Sequence, residues 1–498
     1  LWQDGGDMIA ERLRNRKMLV GLLFAAVCLK YLLYGFTYYP LLDDFIQYGG
    51  YPLYHDLGHV YCTIGTISSR PLAAVLDPLL WGQFWNGMSF ALAVITVLHA
   101  LSGFLFGKVL DNCGIRLSPV FYLIYLLFPL GSEATYWVSA STRIVVGMFL
   151  VSLSLYCLTE YCKRDKLVLL ILYGIFNLAS FCFYEPVLVF GFVATAYILY
   201  LNRKRLKRKH LAVSVPVFSL ALMAVYYKLA AGIGAMGSRA SGFSLSGLPG
   251  RIADFLGQLF YILTAGTFNV VGKGCAEGFK LLLNGGAFSY VCLLLMLTVA
   301  ILLGAYSYYD DSKKINKWMF LGGLVLFFAP LAPNLLVSDV WLTYRSVFVS
   351  LVGLALMLEP VFAFVFRNRM VKSVVIGVLA LVFIAANFNE YSTFRRVSQQ
   401  DVQLVQTVVS ALDEEVLAGE KKAVVILEQE PSTQQVSYYK DHVKSVFGAD
   451  WSLTGAVRAQ SRNIGIKLVT PVLEGADYDA ENAQVLYMDK YGRVTELE

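Results

Sequence analysis

Charge is what this chain has least of. Only 15% of its 498 residues are Asp, Glu, Lys or Arg, 57% are hydrophobic and the mean hydropathy is +0.60, whereas soluble globular chains carry about 25% charged residues. That shortfall excludes an ordinary soluble enzyme and predicts a polytopic membrane protein. The eight cysteines, at 28, 62, 113, 157, 162, 182, 275 and 292, form no CxxC pair. They lie in or beside apolar segments, where cysteine acts as a small hydrophobe, and nothing in the sequence supports a bridge between Cys62 and Cys275. No period of about 20–50 residues repeats, and no paired broken helices of the inverted-repeat transporter kind occur. No short apolar stretch with a small-residue cleavage site precedes the first long apolar run. Met18 to Phe36 is therefore expected as a retained anchor, with Leu1 to Asp7 an extension without structural content.

Apolar runs long enough to cross roughly 30 Å of hydrocarbon as helices occur near 18–38, 87–107, 117–131, 143–161, 167–183, 186–201, 211–231, 284–306, 318–337, 345–366 and 371–388, which predicts about eleven spans. The 33 Phe and 31 Tyr suit the headgroup level of a bilayer. The formal net charge is +6, but the basic residues gather in short clusters at 12–17, 163–166, 203–210, 313–317 and 367–372. If the spans alternate, all five fall on one side, expected to be the cytoplasm. Topology thus accounts for the charge, and nucleic acid is not an expected partner.

Three regions follow. Residues 1–17 are expected as a cytoplasmic segment, 18–389 as a transmembrane domain with an outer loop at 39–86, and 390–498 as a small extracytoplasmic α/β domain. Residues 132–142, the Tyr184-Glu185-Pro186 corner, 232–283 and the Ser338-Asp339-Val340-Trp341 turn are placed outside too. The amphipathic run 251–271 is expected to lie on or dip into the membrane, because a full crossing would put the later basic loops outside. In the tail, a helix from Arg396 to Gly419 starting near a Ser398 cap, a strand at 423–427, a helix around 447–461 and strands near 466–472 and 485–488 are predicted. No metal or phosphate-loop signature occurs there.

Two adjacent carboxylates, Asp43 and Asp44, directly follow the first apolar run. Side chains of successive helical residues diverge by about 100°, so one of the pair faces any given cleft. A partly desolvated carboxylate there suits a general base, and capping of the helix through Phe45–Tyr48 is the bland alternative. Ser69-Arg70-Pro71 follows. Arg70, Arg143 and Arg345 are candidate phosphate ligands, since the planar guanidinium holds two phosphate oxygens; interfacial anchoring or salt bridges with Asp77, Glu133 or Asp339 are their structural alternatives. Glu133, Tyr136, Trp137 and Glu185 are candidates for sugar and acceptor binding, against aromatic-belt anchoring for the rings. His55, Asp56 and His59 have an i, i+4 spacing that can bind a divalent ion with a partner such as Asp44 or Glu185. A polar helix face explains them as well, so His55 and His59 are grouped with the acceptor candidates and no metal is assigned.

An Asp-Asp pair after the first span, an Arg-Pro further along the same outer loop, many spans and a soluble tail resemble the GT-C class of integral-membrane glycosyltransferases. The likeness is nearest to bacterial glucosyltransferases that modify O-antigen or cell-wall polymers. It covers roughly residues 10–390 in architecture, and its motif content is Asp43-Asp44 and, more loosely, Ser69-Arg70-Pro71. The Trp-Trp-Asp-Tyr-Gly type motif of oligosaccharyltransferases is absent, which counts against en bloc glycan transfer to protein. The resemblance implies a polyprenyl-phosphate-linked hexose as donor, an extracytoplasmic glycan or cell-wall polymer as acceptor, no cofactor, and an aspartate base, with Asp44 the first choice. A transporter or flippase of lipid-linked saccharides and a non-catalytic assembly subunit are the alternatives. The tail is expected to shape the acceptor site or contact partner proteins.

Overall fold

The computed structural model describes residues 16–49, 69–82, 87–206, 209–232, 247–309, 317–336, 340–431 and 444–497. His55, Asp56, His59, Cys62 and Asp339 lie outside them. In chain order the helices are α1 (Arg16–Leu32), α2 (Asp44–Gly49), α3 (Pro71–Leu76), α4 (Met88–Asn112), α5 (Pro119–Leu127), α6 (Ser132–Tyr136), α7 (Val138–Arg164), α8 (Leu167–Phe181), α9 (Glu185–Leu201) and α10 (Lys209–Gly232). They continue as α11 (Leu248–Tyr261), α12 (Gly274–Leu283), α13 (Ala287–Tyr309), α14 (Lys317–Phe328), α15 (Tyr344–Phe348), α16 (Leu351–Val365) and α17 (Arg369–Ala411). After α18 (Glu414–Leu417) come β1 (Lys422–Leu427), α19 (Asp450–Ser461), β2 (Val469–Leu473), β3 (Ala483–Met488) and β4 (Val494–Glu496).

The chain is a helical membrane protein with a small C-terminal sheet. Among the described residues seven helical stretches are long and apolar enough to cross a bilayer: Met88–Asn112, Val138–Arg164, His210–Gly232, Leu248–Leu283, Ala287–Tyr309, Trp318–Leu335 and Arg369–Ala411. The count of eleven is therefore not reached. The 18–38 run yields the 17-residue α1, and the runs at 167–183 and 186–201 yield helices of 15 and 17 residues. Fifteen residues make roughly 22 Å of helix, short of the ~30 Å core. The 117–131 run breaks because Phe128 precedes Pro129 and is held extended, at φ −63° and ψ 121°, as a residue before proline usually is. Large apolar side chains such as Ile175, Phe218, Leu229, Leu294 and Ile301 point outward, as lipid-facing residues do.

The stretch Leu248–Leu283 is the one such helix that the sequence pattern keeps from crossing. At roughly 54 Å it exceeds the bilayer core, and its contacts hold it at one end of the bundle. Gln258 donates to the Val340 carbonyl at 2.7 Å and accepts from the Leu342 amide at 2.9 Å. Gly266 abuts the Tyr344 hydroxyl, and Gly278 lies so close to the Ala385 carbonyl that a side chain would collide with it. Leu281 shares a small hollow with Ser392 and Arg395. All these partners lie beside α15 or in the middle of α17, between Ala385 and Arg395, four turns or more from the α17 start at Arg369.

The helix α17 runs unbroken for 43 residues, so Ser398 sits buried in mid-helix and the expected fresh start there does not occur. No glycine or proline separates the apolar half from the polar half. Its far half packs on the C-terminal sheet, whose order is β2-β1-β3-β4, with β1 parallel to β2 and β3, and β4 antiparallel to β3. Central β1 (Lys-Ala-Val-Val-Ile-Leu) is buried along all but its first residue, as an apolar strand in a parallel setting should be. Val405 and Val408 of α17 and Leu453 and Val457 of α19 cover it. Phe45, in the short helix α2, belongs to the same apolar cluster. The domain is thereby pinned to the chain beside Asp43 and Asp44.

Candidate functional site

Leu42 adopts a positive φ of 37°, a left-handed conformation disfavoured for a bulky residue by about 1–2 kcal/mol. Beyond this turn the two carboxylates part. Asp44 is wholly enclosed. It accepts bonds from the Tyr38 hydroxyl, from the Leu41 amide at 3.0 Å and from the Ser139 amide at 2.9 Å. The last of these satisfies a free N–H in the first turn of α7, so Asp44 caps a helix, though not the one through Phe45–Tyr48. Burial pushes its carboxyl up from 3.8 to about 7, against those three bonds, which favour the anion.

Asp43 instead lines a cavity of about 560 Å³, within the usual range for small-molecule sites. Around it stand Ser69, Arg70, Ser139, Arg143, Tyr184, Glu185, Tyr227, Asn334, Trp341, Thr343, Arg345 and Ser346. The chain reaches it from seven separate segments, and three arginines face two carboxylates across it.

Local chemistry positions each cation. Arg70 stands just before Pro71, which opens α3 with a preset φ, and its guanidinium grips Glu185 through Nε and Nη2 at 2.9–3.2 Å. Ser69 donates to the same carboxylate at 2.9 Å, and the Tyr184 ring lies 4.6 Å from the Arg70 Cζ. The Leu72 amide donates to the Cys182 carbonyl at 3.2 Å, so the Ser-Arg-Pro segment is stitched to the Tyr184-Glu185-Pro186 corner. Arg143, one turn into α7, donates from Nε and Nη2 to Asp77 Oδ2 at 3.2 and 2.9 Å. Arg345 is the second residue of α15, which Thr343 caps; its backbone amide donates to Glu133 at 2.9 Å and its Cζ lies 5.1 Å from the Trp137 ring.

Of the residues singled out in the sequence, Asp43, Arg70, Arg143, Arg345 and Glu185 converge on this cavity. Glu133, Tyr136 and Trp137 do not line it. Glu133 is enclosed beneath Arg345. Tyr136 packs among Tyr31, Tyr38, Tyr391 and Phe394, and Trp137 donates its indole N–H to the Leu41 carbonyl at 3.3 Å. Both rings are 2% exposed, so they brace the Asp43-Asp44 turn. Tyr227, Asn334 and Trp341 join the site without a motif; only the placement of 338–341 in an outer turn pointed toward Trp341. Among the described residues no three His, Cys, Asp or Glu side chains stand close enough to hold a metal ion.

The opposite ends of these helices carry the basic clusters: α7 runs from the cavity to Lys163-Arg164, α9 from Glu185 to Arg203-Arg205, and α17 begins at Arg369. Fold and site together define a helical membrane protein with a polar, arginine-lined cavity at one end of its bundle. No protein-family model matches the chain, and no curated protein matches it in sequence.

Proposed function

We propose that the chain is a membrane glycosyltransferase that moves a hexose, glucose being the first candidate, from a polyprenyl-phosphate donor to an extracytoplasmic glycan or cell-wall polymer. The observation that carries this reading is the convergence of Asp43 with Arg70, Arg143 and Arg345 on one cavity at the end of an apolar bundle. Cations matched to a phosphate and a carboxylate matched to a hydroxyl are what such a transfer requires. Asp43 takes the proton of the acceptor hydroxyl, whose oxygen forms a bond to the anomeric carbon. The bond from that carbon to the phosphate oxygen breaks, and polyprenyl phosphate leaves with its negative charge facing the arginines. A single displacement of this kind inverts the anomeric centre. Asp44, bonded on both oxygens, holds the turn rather than the proton. The cavity is assigned to the extracytoplasmic side, because the basic clusters occupy the other end and such clusters favour the cytoplasm.

The test is transfer in membranes supplied with polyprenyl-phosphate-linked glucose, with Asp43→Asn and Asp44→Asn made separately. Loss in Asp43→Asn supports the reading; transfer at the wild-type rate in that variant sinks it.

Lys30 in α1 and His99 in α4, each 1% exposed, favour a second reading. Ionisable groups enclosed within the apolar bundle of a membrane protein mark transport pathways. A transporter of lipid-linked saccharides would lose flipping, measured in proteoliposomes, when Lys30→Met or His99→Phe is introduced, while Asp43→Asn would leave it intact.

A further inference from the structure

The C-terminal domain touches the cavity at two points. The Trp451 indole N–H donates to Asp43 Oδ1 at 3.3 Å, and Lys444 Nζ lies 5.3 Å from the ring of Trp341. Asp43 and Trp341 both line the cavity. These contacts are built in. Trp451 and Gly455 are four residues apart on α19 and so share one helix face. Gly455 lets that face close onto α2, for a side chain there would stand 2.6 Å from the Phe45 carbonyl oxygen. Beside Lys444, Ser445 donates to Asp401 Oδ1 at 2.6 Å and the Val446 amide donates to Oδ2 at 3.1 Å, which anchors this segment to α17.

Trp451 nonetheless leaves 53% of its surface open. An indole held by its N–H and half exposed has one polar end fixed and apolar ring surface open to a ligand. The apolar C–H face of a pyranose ring is complementary to such a surface. Tyr136 and Trp137, the aromatic pair that the sequence offers for sugar stacking, have no free face.

We propose that the C-terminal domain supplies the acceptor side of the site: Trp451 stacks on a pyranose ring of the acceptor glycan and, through its indole N–H, acts as a positioning residue for Asp43. This rests on the transferase reading above. It gives the domain a task at the cavity, and it makes the acceptor enter between the domain and the bundle, with Trp341 and Lys444 on the same rim.

The experiment uses the full chain in lipid nanodiscs and, as probe, delipidated surface polysaccharide from cells lacking this protein. Hydroxyl-radical oxidation of Trp451 is read by mass spectrometry, with Tyr491 of the C-terminal domain, 73% exposed, as internal control. The polysaccharide is expected to slow Trp451 oxidation about tenfold, as a stacking contact of ~1.4 kcal/mol would, in wild type and in Asp43→Asn alike, and to leave Tyr491 unchanged. No protection overturns the proposal, as does equal protection by lipid alone, which would make Trp451 a bilayer anchor. In transfer assays Trp451→Ala raises the acceptor KM about tenfold and leaves the donor KM unchanged. Trp451→Phe retains a stacking ring without the N–H, so its acceptor KM stays near wild type while kcat falls. An unchanged acceptor KM in Trp451→Ala overturns the platform even where Asp43→Asn abolishes transfer. Undiminished transfer in Asp43→Asn defeats the transferase reading whatever happens at Trp451.

Discussion

At the end of the bundle formed by residues 111–116, 160–166 and 202–206, the cations stand in the open over enclosed partners. Arg16 reaches Asp111, Arg164 reaches Glu160 at 2.9 Å and Lys163 reaches the Asn112 side chain; Arg16 is 47% and Arg164 60% exposed, Asp111 14% and Glu160 7%. At the cavity end the cations themselves are enclosed: Arg70 and Arg143 are only 11% and 18% exposed, against 31% for Glu185 and 1% for Asp77. A pair whose cation stands in water forms and breaks at little cost, because water solvates the cation in either state. Burying the second set costs several kcal/mol per ion unless the partners compensate it. Under the transferase reading, arginines held that way around an open volume of about 560 Å³ are placed for an anion rather than for orientation in the bilayer. The two ends therefore separate topology from chemistry, although sequence alone records both as arginine beside a span.

The largest expected effect falls on Asp43. Removing a general base typically costs 10²–10⁴-fold, so Asp43→Asn should lower transfer by roughly that factor while thermal unfolding in detergent stays near wild type. A drop of less than about tenfold would place the proton acceptor elsewhere. Next comes Arg143→Ala, which leaves Asp77 buried without its guanidinium. Breaking one side of a buried pair costs about 3–5 kcal/mol, expected as a marked fall in midpoint temperature, and Arg143→Met with Asp77→Leu should recover much of it. If the single variant is as stable as wild type, the cavity end is no more demanding than the open one and the contrast between them fails.

The grouping of the cavity-end residues, though not the contrast in their burial, is legible in the sequence. Arg70, Arg143, Glu185, Arg345 and the Asp pair could be placed in one layer because each sits at the edge of an apolar run, and helical geometry then brings those edges together. Which aspartate faces the cavity was not legible. The answer depends on the left-handed Leu42 and on α7 amides nearly a hundred residues away. Tyr136 and Trp137 misled for a similar reason: an aromatic pair beside an acid has the same pattern whether it faces a sugar or braces a turn, and only packing against Tyr31, Tyr391 and Phe394 distinguishes the cases. Three of the four strands of the C-terminal domain were readable from short apolar runs, at 423–427, 466–472 and 485–488, whereas the three-residue β4, Val494–Glu496, carried no such signal. Its attachment through Phe45, some 360 positions upstream of the nearest residue of its own core, had no local signal. Span number was over-read because apolar composition continues through Pro129 and the Pro-flanked corners, where the helices themselves stop.

The third effect is a pH dependence centred on Asp44. Its carboxyl is raised in the folded protein from 3.8 to about 7, burial being the leading cause. A group whose folded value lies above its unfolded one contributes most below the unfolded value, and the contribution disappears as pH rises from about 4 through about 7. The span of about three pH units sets a ceiling of roughly 4 kcal/mol. Asp44→Asn removes the titration but offers an amide N–H₂ where Leu41 already donates, at about 1–3 kcal/mol. Wild type should thus exceed the variant in midpoint temperature at pH 5 by more than it does at pH 8. A gap that widens toward pH 8 would mean that Asp44 is stabilised as the anion, and the strain at this turn would need another source.

The smallest effect sharpens the comparison from its other side. Arg16→Ala removes the pair with Asp111, in which the cation is 47% exposed, and pairs with a solvated partner contribute about 0–1 kcal/mol. Near-wild-type stability is expected at low salt and at 0.5 M salt alike, because the remaining screened attraction is already small at a Debye length of several ångströms. Arg143→Ala should keep most of its deficit at both salt concentrations, since water and ions do not reach Asp77. A deficit for Arg16→Ala as large and as salt-resistant as that for Arg143→Ala would show both ends using arginine in the same buried, structural way. The cavity arginines would then lose their claim to be placed for a phosphate.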